Sequence, residues 1–264
     1  MQPKISKNLT QITDILSSMK VFSITNNKGG TGKTTTTLNL GAALAEKGFK
    51  VLLIDLDAQC NLSIASGVKT NLHHIGELLV GEATFEETLI IGKKLDILPS
   101  SRLLLGFEYR LNVEPDSGYF LKEKLEGKNY DYVLIDCPPS LGALTINALV
   151  ASNLFIVPIQ GENFAYVGLD EILQLCAKIR KRMNPQIKLG GILMNKYDMR
   201  TKFSQMIYAK LSENSDIKLY KSNIRQDVSL MECTAFSESI FDYAPDSRGA
   251  TDFKALCEEV LVQE

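Results

Sequence analysis

The sequence predicts an α/β fold, in which helices cover both faces of a mostly parallel, twisted sheet. Short apolar runs such as residues 51–54 are hydrophobic throughout, as strands buried on both faces must be. Segments with helical apolar spacing separate these runs, and this alternation is typical of parallel sheets. A glycine-rich stretch also follows the first apolar run, residues 21–25, and precedes a helix-forming segment. We therefore expect a ligand site at the carboxyl edge of the sheet, where the strands end.

The individual elements follow from the same two patterns. Strands are predicted at short apolar runs bounded by charged or turn residues, at 21–25, 51–54, 95–99, 132–135, 154–159 and 189–194. Helices are predicted where apolar residues recur every three or four positions, from the glycine-rich loop to Gly48 and at 102–111, 169–183, 200–211 and 252–262. Gly48 is expected to end its helix in a left-handed conformation.

Length and composition favour one large domain. The chain has 264 residues, of which 45% are hydrophobic, and this is enough to bury a sizeable core. We expect residues 19–264 to form a single α/β domain and residues 1–18 to form a helical extension. Ile5, Leu9 and Ile12 recur at helical spacing in that extension, which could pack on its own domain or contact a partner or a lipid surface.

The composition narrows the class of protein. The formal net charge is -2, so binding to DNA or anionic lipid requires a local basic patch. The five cysteines are scattered, which is typical of reduced cytoplasmic proteins. Apolar runs fall short of the ~18 residues of a membrane span, so membrane insertion is not expected. The adjacent His73 and His74 have no acidic or cysteine cluster nearby and are expected to be surface loop residues.

Residues 26–35 have the chemistry of a phosphate-binding loop. Gly32, Lys33 and Thr34 match the end of the pattern G-x-x-x-x-G-K-[ST], in which backbone N–H groups hold phosphates, the lysine reaches the outer phosphates and the hydroxyl holds magnesium. The start of that pattern is absent, because the loop carries an additional lysine, Lys28, and two further glycines. The loop still fits an anion, since glycines accept positive φ and the following helix offers its positive end.

Carboxylates end two of the predicted strands. Asp55 and Asp57 follow the strand at 51–54, and Asp136 follows the strand at 132–135. In a parallel sheet these side chains line the ligand crevice beside the phosphates. Asp136 is placed to hold Mg²⁺ through water, as in the second acidic motif of phosphate-loop enzymes.

Two further features allow more than one interpretation. Asn195 ends the strand at 189–194, where its amide could face a purine or simply form a turn. Lys178, Lys181 and Arg182 cluster near the end of the helix at 169–183. Cations there could contact nucleic acid or only complement the helix dipole.

Together these segments resemble the ParA/MinD family of deviant Walker ATPases, and within it the ParA/Soj branch that segregates plasmids and chromosomes. The likeness rests on residues 28–35, 55–59 and 136–139, and it extends through 157–160, 168–169, 194–196 and 240–250. It covers the chain from about residue 19 to the C-terminus.

The resemblance implies ATP and Mg²⁺ as ligands. The ATP-binding residues would be Lys28, Gly29, Gly30, Thr31, Gly32, Lys33, Thr34, Thr35 and, at the adenine, Asn195. Thr34, Asp55 and Asp136 would support Mg²⁺. Lys33, Lys28 and Asp57 would be catalytic: Lys33 binds the phosphates of its own subunit, Lys28 reaches the ATP of a partner subunit, and Asp57 positions the attacking water.

The resemblance also implies partners. An ATP-bound homodimer would bind DNA without sequence preference in the cytoplasm, on the nucleoid, and a ParB-like centromere-binding protein would stimulate hydrolysis. The candidate DNA contacts are Lys178, Lys181, Arg182, Arg200, Lys202 and Arg225. A MinD-like or other cargo-positioning ATPase is the main alternative, although Glu258 and Glu259 disfavour a lipid-binding C-terminal helix. A nitrogenase-iron-protein-like carrier would need paired cysteines, and a related tyrosine kinase would carry a tyrosine-rich tail.

Overall fold

A parallel sheet organises the part of the chain that the computed structural model describes, namely residues 19–69, 72–161, 165–198, 200–213 and 217–262. Within these ranges seven strands lie in the order β3-β2-β4-β1-β5-β6-β7, and every neighbouring pair is parallel. The predicted α/β fold class is thereby confirmed. The strands are β1 (Lys20–Ile24), β2 (Val51–Asp55), β3 (Leu95–Leu98), β4 (Tyr132–Asp136), β5 (Leu154–Gln160), β6 (Lys188–Tyr197) and β7 (Ile224–Arg225).

Helices connect successive strands and lie on both faces of the sheet. Those after β1 and β2 are α1 (Lys33–Glu46), α2 (Asn61–Ala65), α3 (Ile75–Val80) and α4 (Phe85–Thr88). Those between β3 and β6 are α5 (Leu104–Val113), α6 (Phe120–Leu125), α7 (Ala143–Ala151) and α8 (Ala165–Arg182), with a 3₁₀ turn at Ser117–Tyr119. The remaining helices are α9 (Lys202–Ser212), α10 (Ser229–Ala235), α11 (Ile240–Tyr243) and α12 (Arg248–Val262).

The strands are apolar throughout because both of their faces are covered. Leu53 packs into a cluster with α1 and α12, whereas its neighbours Leu52 and Ile54 pack into a cluster with α3, α5 and α7. On the other side of β1, Val157 packs against α8 and α9. Each of these strand side chains is completely buried. Residues that alternate in direction along a strand therefore enter separate cores.

The register of the central strands brings the predicted site residues to one level. Ile24, the last residue of β1, lies beside Asp136 of β4, and Asp136 lies beside Asp55 of β2. The loop that follows β1 therefore begins next to two carboxylates. Gly48 lies two residues after the end of α1 and has φ of +91°, the left-handed conformation that was predicted there. The predicted extension of residues 1–18 lies outside the described residues.

The prediction for His74 was wrong, because this histidine is buried. Its Nδ1 accepts a hydrogen bond from the Gly76 N–H at 3.1 Å. The backbone N–H of His74 donates to the Glu77 carboxylate at 3.0 Å. The ring also packs edge-on against Phe107, with 5.1 Å between ring centroids. An imidazole nitrogen can accept from the first turn of a helix as a serine oxygen does, so His74 caps α3. His73 is half-buried, with Nδ1 3.4 Å from the Glu77 carboxylate.

Candidate active site

The loop between β1 and α1 presents open backbone to a ligand. Gly30 and Gly32 have φ of +75° and +91°, a left-handed conformation that side chains other than glycine rarely adopt. A Cβ at Gly29 or Gly30 would meet no heavy atom within 4 Å, so the backbone of this turn faces free space. Gly32 directly precedes α1, and the first N–H groups of a helix have no partner within that helix. This geometry suits a phosphate.

Polar side chains at the carboxyl ends of β1 and β5 form hydrogen bonds that fix the shape of the loop. Asn26 donates from Nδ2 to the Pro158 carbonyl at 2.8 Å and accepts from the Lys28 N–H at 2.9 Å. Gln160, the last residue of β5, donates to the Gly30 carbonyl. Neither Asn26 nor Gln160 was identified from the sequence as a site residue. Each is a polar residue at or just past the carboxyl end of an apolar strand, and this signal could have found them.

Asn195 also holds the loop. Its Nδ2 donates to the Thr31 carbonyl at 3.0 Å and to the Thr36 hydroxyl at 3.1 Å. A Cβ on Gly32 would lie 2.4 Å from the same nitrogen. The amide nitrogen is therefore engaged by the loop, and contact of Asn195 with adenine stays a prediction.

The two lysines of the loop differ in environment. Lys33 is 7% exposed, and its ammonium donates to the Lys28 carbonyl at 3.2 Å. Burial lowers the pKa of Lys33, while the nearby Asp136 carboxylate acts in the opposite direction. Lys28 is exposed on the outer side of the loop. One ammonium is thus directed inward, where phosphates would be bound, and the other lies on the protein surface.

Thr34 and Asp136 form the second part of the site. The Thr34 hydroxyl donates to Asp136 Oδ2 at 2.6 Å. The other oxygen of Asp136, Oδ1, is buried and has no hydrogen-bond partner among the described residues. Burial, and then the neighbouring Asp55, raise the pKa of Asp136 well above its usual range. A buried carboxylate oxygen that lacks a donor is suited to a bound cation.

These residues fit Mg²⁺. In the described ranges there is no group of three or more His, Cys, Asp or Glu side chains in metal-binding geometry. Mg²⁺ that binds with a nucleotide does not require one, because it takes its remaining ligands from phosphates and water. Thr34 and Asp136 would hold the ion, which would neutralise charge on the phosphates.

Asp55, predicted to support Mg²⁺, is completely buried. Both of its oxygens accept hydrogen bonds: Oδ1 accepts from the Asp57 N–H at 3.0 Å, and Oδ2 accepts from Ser63. Burial raises the pKa of Asp55 to about 6 despite these bonds. Asp55 thus connects Asp57 to Ser63, and its support of Mg²⁺ stays a prediction.

Asp57 lies at the rim of the site. It is half-buried, and its Oδ1 accepts from the Gln59 N–H at 2.9 Å within its own turn. Among the other loop residues, Thr31 is buried and Thr35 is half-buried on the first turn of α1. The charges of Asp136 and Asp57 both act on Lys33, so these side chains lie near one another at the loop, and their roles in hydrolysis and metal binding stay predictions.

The basic candidates do not form one patch. Arg200 and Lys202 follow the carboxyl end of β6, and Arg225 lies in β7 beside Tyr197. Lys178, Lys181 and Arg182 lie at the end of α8, near the start of β6, as the 3.0 Å bond from Arg180 Nε to the Ile187 carbonyl indicates. The two groups are on opposite edges of the sheet, on the order of 30 Å apart along a strand the length of β6.

A phosphate-binding loop, a buried lysine and a threonine–carboxylate pair at the carboxyl edge of a parallel sheet define a P-loop nucleotide hydrolase. A protein-family model described as an AAA domain matches residues 19–189. The sporulation initiation inhibitor protein Soj of Bacillus subtilis is 38% identical over 247 residues, which cover 91% of this chain and 98% of that protein. The chromosome partitioning protein ParA of Caulobacter vibrioides is 35% identical over 257 residues, covering 93% and 95% of the two chains.

A solved structure agrees with these matches. The structure of a Mycobacterium smegmatis protein described as cobyrinic acid a,c-diamide synthase, with bound ATP analog and magnesium, superposes with a TM-score of 0.81. It is 32% identical in sequence and covers 92% of this chain and 95% of that chain. The chain belongs to the ParA/MinD family of ATPases. ATP is accordingly its nucleotide and Mg²⁺ its metal.

Proposed function

We propose that this ATPase drives the partitioning of plasmid or chromosomal DNA. In this scheme ATP–Mg²⁺ binding produces a homodimer, the dimer binds DNA without sequence preference, and a ParB-like centromere-binding protein stimulates hydrolysis. The name of the ParA relative, a chromosome partitioning protein, supports a partitioning role. The single observation that carries the scheme is the different burial of the two lysines of one loop: Lys33 is buried and Lys28 is exposed.

The positions of the two lysines favour a nucleotide shared by two subunits. Lys33 is buried beside Asp136 and suits the phosphates of its own subunit. Lys28 lies exposed on the same loop, where an ammonium can reach the phosphates of a facing molecule. A cation supplied by a partner neutralises charge that develops during phosphoryl transfer. ATP would thus form part of the dimer interface, and its hydrolysis would loosen the dimer.

We assign DNA binding to the carboxyl-edge group of basic residues. Arg200, Arg225 and Arg248 line a cavity of about 490 Å³ together with Asp198. Arg200 pairs with Asp198, and Arg225 pairs with Asp252, each at 2.7 Å, so these guanidinium groups are held in place at the surface. This group shares an edge with the nucleotide site. Nucleotide-dependent dimerisation would therefore bring two copies together on one DNA.

The same ATP site would serve a membrane-cycling regulator, but α12 argues against that alternative. Glu258 pairs with Lys47, the residue that follows α1, and Glu259 accepts from the N–H groups of Lys221 and Ser222. These acidic contacts tie α12 to the body of the domain. None of the helices in the described ranges combines the length and apolar composition that crossing a bilayer requires. We propose association with the nucleoid.

Substitution of the two lysines tests the scheme. Lys33→Ala is expected to abolish ATP binding, because it removes a buried cation from the phosphate site. Lys28→Ala is expected to leave ATP binding by the monomer within about threefold of the original affinity and to remove ATP-dependent dimerisation. Equilibrium binding of a fluorescent ATP analogue and light scattering with and without ATP–Mg²⁺ measure the two effects.

Lys93→Ala provides a matched control, since this lysine lies two residues before β3, at the amino edge of the sheet, whereas the phosphate loop lies at the carboxyl edge. It should bind ATP and dimerise normally. A Lys28→Ala protein that still doubles its mass with ATP would exclude the shared-nucleotide dimer.

A further inference from the structure

One buried carboxylate joins two segments of the site. Asp55 Oδ1 accepts the backbone N–H of Asp57 at 3.0 Å. Its Oδ2 accepts the backbone N–H of Ser63 at 2.8 Å and the Ser63 hydroxyl at 2.7 Å. Asp55 is completely buried, so these hydrogen bonds are what make its burial tolerable. The carboxylate therefore fixes the distance between the backbone of Asp57 and the middle of α2.

Ser63 connects this carboxylate to a third segment. Its hydroxyl accepts the backbone N–H of Ser100, just beyond β3, at 2.9 Å. Ser63 and Ser100 are both 4% exposed. A serine hydroxyl has one proton, which here goes to Asp55, so accepting from Ser100 fixes the orientation of the group. Ser63 thus joins the ends of β2 and β3 through one oxygen.

The loop between Asp57 and Ser63 requires this support. Cys60 has φ of +57°, a left-handed conformation that costs a residue with a Cβ roughly 1–2 kcal/mol. The loop is closed by a hydrogen bond from the Cys60 N–H to the Asp57 carbonyl at 2.9 Å. A strained segment keeps its shape only where its surroundings determine it. Asp55 supplies this constraint, because it binds the backbone of Asp57 at one end of the loop and Ser63 at the other.

We propose that Ser63 is a positioning residue for ATP hydrolysis, because through Asp55 it holds Asp57 where the attacking water must be oriented. This inference rests on the proposed role of Asp57 as the water-positioning carboxylate. The hydroxyl of Ser63 does not touch the nucleotide, since Asp55 and Ser100 occupy it. Its loss should therefore affect the rate of the chemical step and leave ATP binding unchanged.

The test is a set of Ser63 variants assayed for single-turnover hydrolysis and for ATP affinity. Ser63→Ala is expected to lower the hydrolysis rate about ten- to hundredfold, as small misplacements of catalytic groups do, with ATP affinity changed less than about twofold. Ser63→Thr, which keeps the hydroxyl, should restore most of the rate. Ser66→Ala, at the other end of α2, is the matched control and should hydrolyse ATP normally. An unchanged rate in Ser63→Ala, or equal losses of rate and affinity, would overturn the inference.

The hydrolysis rate of Asp57→Ala distinguishes failure of the positioning role of Ser63 from failure of the proposed role of Asp57. If Asp57→Ala loses hydrolysis and Ser63→Ala does not, only the positioning role of Ser63 fails. If Asp57→Ala hydrolyses ATP normally, the proposed role of Asp57 fails, and the role of Ser63 fails with it. The double variant Asp57→Ala/Ser63→Ala should be no slower than Asp57→Ala alone, because the two residues act as a unit.

Discussion

At the residue scale, the site depends on polar groups that are buried next to one another. Asp55 and Asp136 lie side by side on neighbouring strands, and burial raises the pKa of both. Asp55 is compensated by hydrogen bonds from Ser63 and Asp57, whereas one oxygen of Asp136 has no hydrogen-bond partner among the described residues. The two carboxylates have similar sequence contexts and different surroundings. Their hydrogen-bond partners, rather than their position at a strand end, distinguish them.

Cys60 provides a stability prediction at this scale. Because its φ is +57°, Cys60→Gly is expected to relieve strain and to stabilise the fold by about 0.5–1 kcal/mol, net of the greater freedom of glycine in the unfolded chain. Urea unfolding followed by circular dichroism measures the change. Cys60→Ala removes the thiol but keeps the Cβ, so it should give no such gain. A gain of equal size in Cys60→Ala would assign the effect to the thiol.

At the scale of elements, short helices depend on their caps. α3 has six residues, and its N-terminus is closed by two bonds of His74: the imidazole accepts from the Gly76 N–H, and the backbone N–H donates to the Glu77 carboxylate. Isolated helices of this length are not stable in water, so the cap and the packing against Phe107 hold α3 in place. The histidine must be neutral in this role, because a protonated imidazole cannot accept from the Gly76 N–H.

The cap makes the stability of the fold depend on pH. Burial lowers the pKa of His74 in the folded state, so the unfolded chain takes up the proton first. The contribution of His74 is complete above the unfolded pKa of about 6.5 and is lost as pH falls towards the folded value. His74→Asn keeps a capping side chain and cannot titrate, so its stability relative to the original protein should rise between pH 7.5 and pH 5.5. Urea unfolding at the two pH values tests this.

The comparison with His74→Asn at each pH removes the contributions of Asp55 and Asp136, which are common to both proteins. A relative stability of His74→Asn that stayed the same at the two pH values would show that the cap is not the titrating contact.

Most of the elements could be predicted from the sequence, and the exceptions have physical reasons. β1 to β6 were predicted because each is an apolar run with a clear end, whereas β7 has two residues and exists only by pairing with β6. α5 was expected two residues earlier than observed, since helix ends are weakly determined by periodicity. The cap of α3 was missed because a histidine acts there as an acceptor.

At the scale of the whole molecule, the candidate DNA contacts among the described residues fall into two separate groups. Helices in a parallel α/β fold end at the amino edge of the sheet, so cations that complement helix dipoles collect there. Lys178, Lys181 and Arg182, at the end of α8, have this position. Arg200 and Arg225 lie at the carboxyl edge, on the same side of the sheet as the phosphate loop. We expect ATP to control DNA binding only through this second group.

DNA affinity should therefore depend on one edge. Arg200→Ala/Arg225→Ala is expected to weaken ATP-dependent binding to a random DNA duplex at least about tenfold and to reduce the slope of log affinity against log salt by about 2. Fluorescence anisotropy over a salt series measures both quantities. Lys178→Ala/Lys181→Ala is the matched control, with an expected change below about twofold. Equal losses of DNA affinity in the two double variants would show that residues at the amino edge also bind DNA. If Arg200→Ala/Arg225→Ala kept the original affinity, the assignment of DNA binding to the carboxyl edge would be wrong.

The sequence by itself determined the class of fold, the phosphate-binding loop and the carboxylates at the strand ends. These features are local, since a strand, a glycine-rich turn and a helix start follow from the order of a few neighbouring residues. The tertiary structure decided what those groups contact: Asn195 holds the loop, Asp55 binds Ser63, and the basic candidates separate to opposite edges. Such contacts depend on which strands become neighbours and in which register, and local patterns in one sequence do not contain that information.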